Sequence, residues 1–256
     1  MSQNRLLIKN LTISNNNKKI IENLSFELKE NYSYAIIGVG KSGKTTIIES
    51  ILGYFENREI SGDIIFVDEK NEKSLLSMKQ KEIEFFRKKR VAVVYQNSSD
   101  IFINIETIGK QMISLLSIKT DKKYKKIKED IIFYMNFFNI PLKLFNKYPN
   151  QIKTSTLKIF AFILVTIMEP TFLILDEPFY DLDIILRNKF IYLLKKSKEN
   201  CAILITTNDI LLLEFDNFID KATILNSNGI VLEDTPVNIL NSSNPIIKEM
   251  ISEISF

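Results

Sequence analysis

The segment Gly38-Val39-Gly40-Lys41-Ser42-Gly43-Lys44-Thr45 constrains this chain more than any other, because it fits the pattern G-x-x-x-x-G-K-[ST]. Tyr34 to Gly38 before it reads as a buried strand, and Thr45 to Tyr54 after it has helical spacing. Strand, glycine-containing loop and helix in that order gather backbone N–H groups and a helix N-terminus around one point, an arrangement that attracts phosphate. Lys44 can neutralise β- and γ-phosphates and the Thr45 hydroxyl can ligate magnesium, with residues from Gly38 to Thr46 forming the cradle. The plainer alternative, a glycine-rich turn without a ligand, treats that context as coincidence.

A second motif agrees with the first. Phe172-Leu173-Ile174-Leu175 is a short apolar run that ends in the carboxylate pair Asp176-Glu177. Two carboxylates at the end of a buried strand are costly without a partner, and a metal with a polarised water supplies one. In that reading Asp176 holds magnesium, directly or through water, and Glu177 orients or deprotonates the attacking water. Taken alone, the pair is also compatible with an ordinary strand end before the turn at Pro178.

The rest of the chain organises around these motifs as an α/β protein. Leu6 to Ile13 and Asn23 to Leu28 alternate apolar and polar residues about the polar stretch SNNNKK, which predicts an antiparallel β subdomain at the N-terminus. Asp63 to Val67 and Arg90 to Val94 read as further strands. The region from about Ile105 to Met168 has helical spacing with an Asn/Lys-rich interruption and is expected to form an inserted helical subdomain, roughly 97–168. Phe172 to Leu175 and Ala202 to Ile205 have the length of parallel core strands whose C-terminal ends face a ligand. Ala222 to Leu225 and Ile230 to Leu232 flank the turn Ser227-Asn228-Gly229, and a helix is expected after Pro236. The whole, 1–256, is read as one domain.

In this order of motifs the chain resembles the ATP-binding subunits of ABC transporters. The order runs from the phosphate loop through Gln96 after a strand, Tyr148-Pro149-x-Gln151, Asp176-Glu177-Pro178 and Leu182-Asp183 to a strand ending Thr206-Thr207. The resemblance extends over nearly the whole chain. It implies a P-loop NTPase core with a mostly parallel sheet, ATP and Mg2+ as ligands, and ATP hydrolysis coupled to transport. The stretch Arg58-Glu59-Ile60-Ser61-Gly62-Asp63-Ile64, and Thr107-Ile108-Gly109-Lys110-Gln111 further on, look like the peptide and nickel importer branch. By the same resemblance Gln96 senses magnesium and the γ-phosphate, and Asp183 lies in the loop facing a partner subunit. Two transmembrane permease subunits dock near the helical subdomain, and an external substrate-binding protein acts indirectly.

The pattern breaks at specific positions. Where the family carries leucine-serine-glycine-glycine-glutamine, this chain has Ile152-Lys153-Thr154-Ser155-Thr156. The glycines let backbone N–H groups at a helix N-terminus approach the γ-phosphate of the opposite subunit's ATP, and β-carbons at Thr154 and Ser155 obstruct that approach. Loss of one such donor typically costs about 2.7 to 4 kcal/mol of transition-state stabilisation. The chain has no histidine, so Asn208 stands where the family has its switch histidine; an amide donates a hydrogen bond but carries no proton or charge. Asn15 occupies the position of the aromatic that stacks on adenine, and Lys41 replaces a loop glycine.

The Asn208 defect weakens this chain's own site, whereas the Thr154-Ser155 defect weakens its partner's. A homodimer would carry both defects in both sites, so a heterodimer with a better-preserved second ATP-binding subunit is expected. Two readings follow: a working ATPase subunit, or a regulatory ATP-binding subunit whose sister does the chemistry.

Composition excludes several other classes. Lys and Arg total 34 against 31 Asp and Glu, a net charge of only +3 spread along the chain, so no nucleic-acid partner is expected. The basic groups at Arg87 to Arg90 and Lys122 to Lys128 read as solvated helix faces. The single cysteine, Cys201, sits in the apolar run CAILIT and is expected to be buried, with no disulfide framework. The longest apolar stretch, Ile159 to Met168, is ten residues, short of the roughly 20 needed to cross a bilayer. The chain is therefore expected at the cytoplasmic face of a membrane, held there through its permease partners.

Overall fold

The computed structural model describes residues 4–16, 18–68, 71–215, 218–227 and 229–252. Asn17 and Asn228, which the sequence places in loops, lie outside these. Among the described residues the strands are β1 (Arg5–Asn15), β2 (Lys18–Lys29), β3 (Ser33–Gly38), β4 (Glu59–Val67), β5 (Glu72–Ser74), β6 (Val91–Val94), β7 (Phe172–Asp176), β8 (Ala202–Thr207), β9 (Lys221–Asn226) and β10 (Gly229–Asp234). The helices are α1 (Lys44–Ile51), α2 (Gln80–Arg90), α3 (Ile108–Lys119), α4 (Tyr124–Phe137), α5 (Thr154–Met168), α6 (Ile184–Lys198), α7 (Pro236–Leu240) and α8 (Pro245–Ser252).

Two sheets carry the fold. One is antiparallel in the order β2-β1-β4-β5; the other runs β10-β9-β3-β8-β7-β6 and is parallel except for the β9–β10 pair. Strands β3, β7 and β8 are buried at every position, as continuous apolar runs in a sheet covered on both faces must be. Their side chains alternate between two cores with the two-residue period of a strand. Ala35, Ile37, Leu173, Leu175, Ile203 and Ile205 face a core built with α3, α4, α5 and α6. Tyr34, Ile36, Phe172, Ile174, Ala202 and Leu204 face the other, shared with α1 and the antiparallel sheet.

Several expectations shift in detail. The polar stretch between β1 and β2 is shorter as a loop than SNNNKK suggests, because Ser14 pairs with Lys19 and Asn15 with Lys18 across the hairpin. One face of an antiparallel sheet tolerates water, so polar residues extend the strands at no burial cost. The strand expected from Arg90 begins at Val91, since Arg90 closes α2. The helical region resolves into α3, α4 and α5, with the expected interruption between α4 and α5 containing turns at Leu142–Asn146 and Pro149–Gln151. The helix after Pro236 is two short ones, α7 and α8.

The register brings three strand ends level. Ile37 of β3 pairs with Thr207 of β8, and Thr206 of β8 pairs with Asp176 of β7. The phosphate-loop sequence leaves β3, the carboxylate pair leaves β7 and Asn208 leaves β8 at this one carboxyl edge, where α/β sheets place their ligands.

Candidate functional site

At this edge lies a cavity of about 680 Å³, within the usual range for small-molecule sites. It is lined by Gly40, Lys41, Ser42, Gly43, Lys44, Thr45, Thr46, Gln96, Asp176, Glu177 and Asn208, all named from the sequence. Gly38 and Val39 stand at the loop's root and do not line it. Lys18, Lys19, Ile20, Tyr180 and Ser227 complete the wall and were not anticipated. Asn15 is not part of the wall; the start of β2 takes that side instead, with lysine stems and Ile20.

The loop's shape follows from two of its glycines. A β-carbon on Gly38 would lie 2.6 Å from the Leu225 carbonyl oxygen, so the strand end can pass β9 only as glycine. Gly43 has φ +94°, and its β-carbon would lie 2.7 Å from Ile21 Cδ1. Lys41 also adopts positive φ, 66°, the conformation the family's glycine supplies freely. Its side chain is exposed and stands at the cavity.

Beyond Gly43, α1 begins with no side-chain cap and no acidic residue in its first turn. Its first N–H groups therefore have no side-chain cap among the described residues, and the positive end of the helix dipole favours an anion there. Lys44, buried at 8 % exposure, donates to the Gly38 carbonyl at 2.6 Å and to Val39 at 3.3 Å, and its ammonium lies 3.4 Å from Glu177 Oε1. The ammonium is thereby held over the loop's mouth.

Asp176 is also buried. Thr206 donates to its Oδ1 at 2.5 Å and Thr45 Oγ1 lies 3.4 Å from its Oδ2. It forms no ion pair among the described residues, an expensive state for a buried carboxylate that a cation relieves. The Thr45 hydroxyl, the Asp176 carboxylate and the Gln96 amide oxygen are hard donors in one cavity, a set that fits Mg2+. No group of three His, Cys, Asp or Glu side chains that could hold a metal occurs among the described residues. A magnesium held by these donors would need further ligands from outside the protein, as this ion usually does.

Glu177 adopts φ 47°, an uncommon conformation for a non-glycine residue and one that concentrates at functional sites. Its N–H donates to the Thr206 carbonyl at 2.9 Å, and its Oε2 accepts from the backbone N–H of Asn208 at 3.1 Å. The carboxylate sits between the Lys44 ammonium and this N–H, with Asn208's own amide exposed at the cavity wall.

The residues outside the cavity are also placed. Asp183 caps α6, accepting from Leu186 N at 2.8 Å. Thr154 opens α5, whose N-terminus has no side-chain cap; Thr154 and Ser155 are exposed and do not line this cavity. Cys201 is buried. No described helix is long and apolar enough to cross a membrane.

The chain is similar in sequence and in fold to known proteins. The ATP-binding protein CntD of a metal-staphylopine import system, from Staphylococcus aureus, is 25% identical over 92% of this chain and 88% of its own length. The oligopeptide transport ATP-binding protein AmiE of Streptococcus pneumoniae is 30% identical over 68% of this chain and 50% of its own. Among solved structures, the ATP-binding cassette MJ0796 bound to ADP and Pi superimposes with a TM-score of 0.74 at 19% identity, covering 90% of this chain and 98% of that one. A family model described as ABC transporter matches residues 21–180. That span holds the phosphate loop, Gln96 and the Asp176-Glu177 pair, and the chain belongs to the ABC transporter family.

Proposed function

We propose that this chain is the ATP-binding and ATP-hydrolysing subunit that energises an ABC importer of peptides, nickel or metal chelates. The convergence of Lys44, Thr45, Gln96, Asp176, Glu177 and Asn208 on one cavity is the observation that carries this reading. The kinship with CntD supports import as the direction, and that with CntD and AmiE supports metal chelates or peptides as the cargo class.

In the proposed site, Lys44 and the α1 N-terminus grip the triphosphate, and Thr45, Asp176 and Gln96 hold magnesium, which when bound neutralises charge on the phosphate oxygens. Glu177 orients the attacking water and accepts its proton. Asn208 donates to the γ-phosphate. The working unit contains two transmembrane permease subunits and a second ATP-binding subunit, and an external binding protein delivers cargo at the other side of the membrane. We take 1–256 as one nucleotide-binding domain, with the helical part roughly 97–168 facing the permeases at the cytoplasmic face.

Asn208 at the cavity wall, where the family has its histidine, favours a second reading, in which this chain binds ATP but its sister subunit performs most hydrolysis. Purified chain with MgATP distinguishes the two: turnover abolished by Glu177→Gln supports a working ATPase, and binding without turnover supports the regulatory subunit. Failure to bind MgATP at all rules out both. Co-purification with detergent-solubilised permeases tests the assembly.

A further inference from the structure

Arg187, one turn into α6, is enclosed in an unusual way. Its Nη1 lies 2.7 Å from Asp209 Oδ2, and its guanidinium carbon lies 5.5 Å from the Phe179 ring centroid and 4.8 Å from that of Phe215. Nε and Nη2 are buried with no hydrogen-bond partner among the described residues. Among the described residues, one carboxylate and two aromatic rings surround its guanidinium. A cation gains more from an aromatic face when water is excluded, and a buried pair that loses one partner leaves the other uncompensated. Such a pair adds little net stability, because desolvation of the two charges offsets their attraction.

What Arg187 touches are the two segments that aim the site. Phe179 belongs to the turn after Glu177, in which Tyr180 N donates to the Glu177 carbonyl and Leu182 N to that of Phe179. Asp209 follows Asn208, whose N–H holds the Glu177 carboxylate. The Asp209 carboxylate is itself fixed from a second side, since its Oδ1 accepts from Leu211 N at 2.9 Å. The helix carrying Arg187 is anchored beside Asp183, whose carbonyl accepts from Arg187 N.

We propose that Arg187 is a positioning residue for hydrolysis: through Asp209 and Phe179 it fixes the contact between Asn208 N–H and the Glu177 carboxylate, and so the direction in which Glu177 points. Arg187 itself does not line the cavity. The proposal rests on the role given to Glu177 above, and its test separates the two.

The test uses the full chain with three variants. Arg187→Lys keeps the charge but loses the planar group between the rings, Arg187→Met keeps bulk alone, and Asp209→Asn removes the ion pair while still able to cap Leu211. The first readout is the Asn208 backbone amide, by its NMR resonance and hydrogen exchange. It is expected to move in all three variants in the direction seen in Glu177→Gln, with faster exchange, and an amide unchanged in Asp209→Asn and Arg187→Lys overturns the proposal. The second readout is steady-state hydrolysis: kcat falls about 10- to 100-fold while MgATP affinity stays within about twofold, since a misplacement near 1 Å costs on that order. Adding Arg187→Met to Glu177→Gln lowers turnover no further, as expected of residues acting through one group. Loss of affinity and turnover together, in step with a lowered melting temperature, assigns Arg187 a merely structural part and overturns the proposal. With a wild-type chain that binds MgATP without hydrolysis, the amide readout decides the positioning claim alone.

Discussion

The Lys44 ammonium and the Glu177 carboxylate lie 3.4 Å apart, the lysine reaching from the start of α1 and the glutamate from the end of β7. Both side chains are largely buried, at 9% and 14% exposure, so their attraction is weakly screened. A phosphate bound at the loop would therefore share this cation with Glu177. Lys44→Ala is expected to weaken MgATP binding by about 100-fold or more, as removal of one charged partner in a buried site costs roughly 3 kcal/mol or more. Glu177→Gln retains binding and lowers turnover by at least about 100-fold, the range for loss of a positioned base. Calorimetric titration and phosphate release measure the two.

Asn208 stands at the cavity wall with its amide exposed. Asn208→His restores a side chain that holds a proton near neutral pH, and the variant is expected to raise kcat up to about 100-fold, the worth of one well-placed donor to transition-state charge. The gain appears below about pH 6.5 if the imidazolium is the active form, and a pH profile of kcat reads this directly. An unchanged kcat removes Asn208 from the list of residues limiting turnover.

Gly43 and Gly40 give a contrast within one loop. Gly43→Ala places a β-carbon 2.7 Å from Ile21 Cδ1 at φ +94°, whereas a β-carbon on Gly40 meets nothing within 4 Å. The first is expected to lower stability by about 2 kcal/mol, from the left-handed backbone and the overpacking together. The second leaves the denaturation midpoint nearly unchanged. Weaker MgATP binding in Gly40→Ala at an unchanged midpoint would assign Gly40 to close approach of the phosphates, a function stability cannot report.

Cys201 tests the core on the far side of the sheet. Burial pushes its thiol pKa up to about 12. In the unfolded chain a cysteine ionises near 8.5, so between these values the folded form binds the extra proton and stability falls as pH rises from about 9 towards 12. At pH 8 the folded thiol has on the order of a thousandfold less thiolate than an ordinary cysteine, and alkylation by iodoacetamide is correspondingly slow until denaturant is added. Cys201→Ala removes this component of the alkaline loss, measured by denaturant unfolding at pH 8 and pH 10.

Much of this architecture was legible in the sequence because it is written in local chemistry. Continuous apolar runs marked β3, β7 and β8, and glycine spacing marked the loop between β3 and α1. One helix, α6, was not legible, and α2 was legible only at its basic end, Arg87 to Arg90. α2 buries only Ile83 and Phe86 among eleven residues, too narrow a stripe to stand out by period. α6 exposes Ile184 and Ile185 while burying Phe190, Ile191, Leu193 and Leu194, so apolar residues on both faces blur its pattern.

The sequence by itself determined which residue types stand at the candidate site: the phosphate loop, the Asp176-Glu177 pair and Gln96, with Asn208 in place of histidine, and Thr154 and Ser155 in place of glycine at the start of α5. These depend on residue type and spacing along the chain. Only the tertiary structure decided that Lys18, Lys19, Ile20, Tyr180 and Ser227 share the cavity, that Lys44 faces Glu177, and that Arg187 joins Phe179 to Asp209. Those contacts span strands far apart in sequence and follow from sheet order and register, which hydrogen bonding between non-adjacent strands fixes and local pattern does not encode.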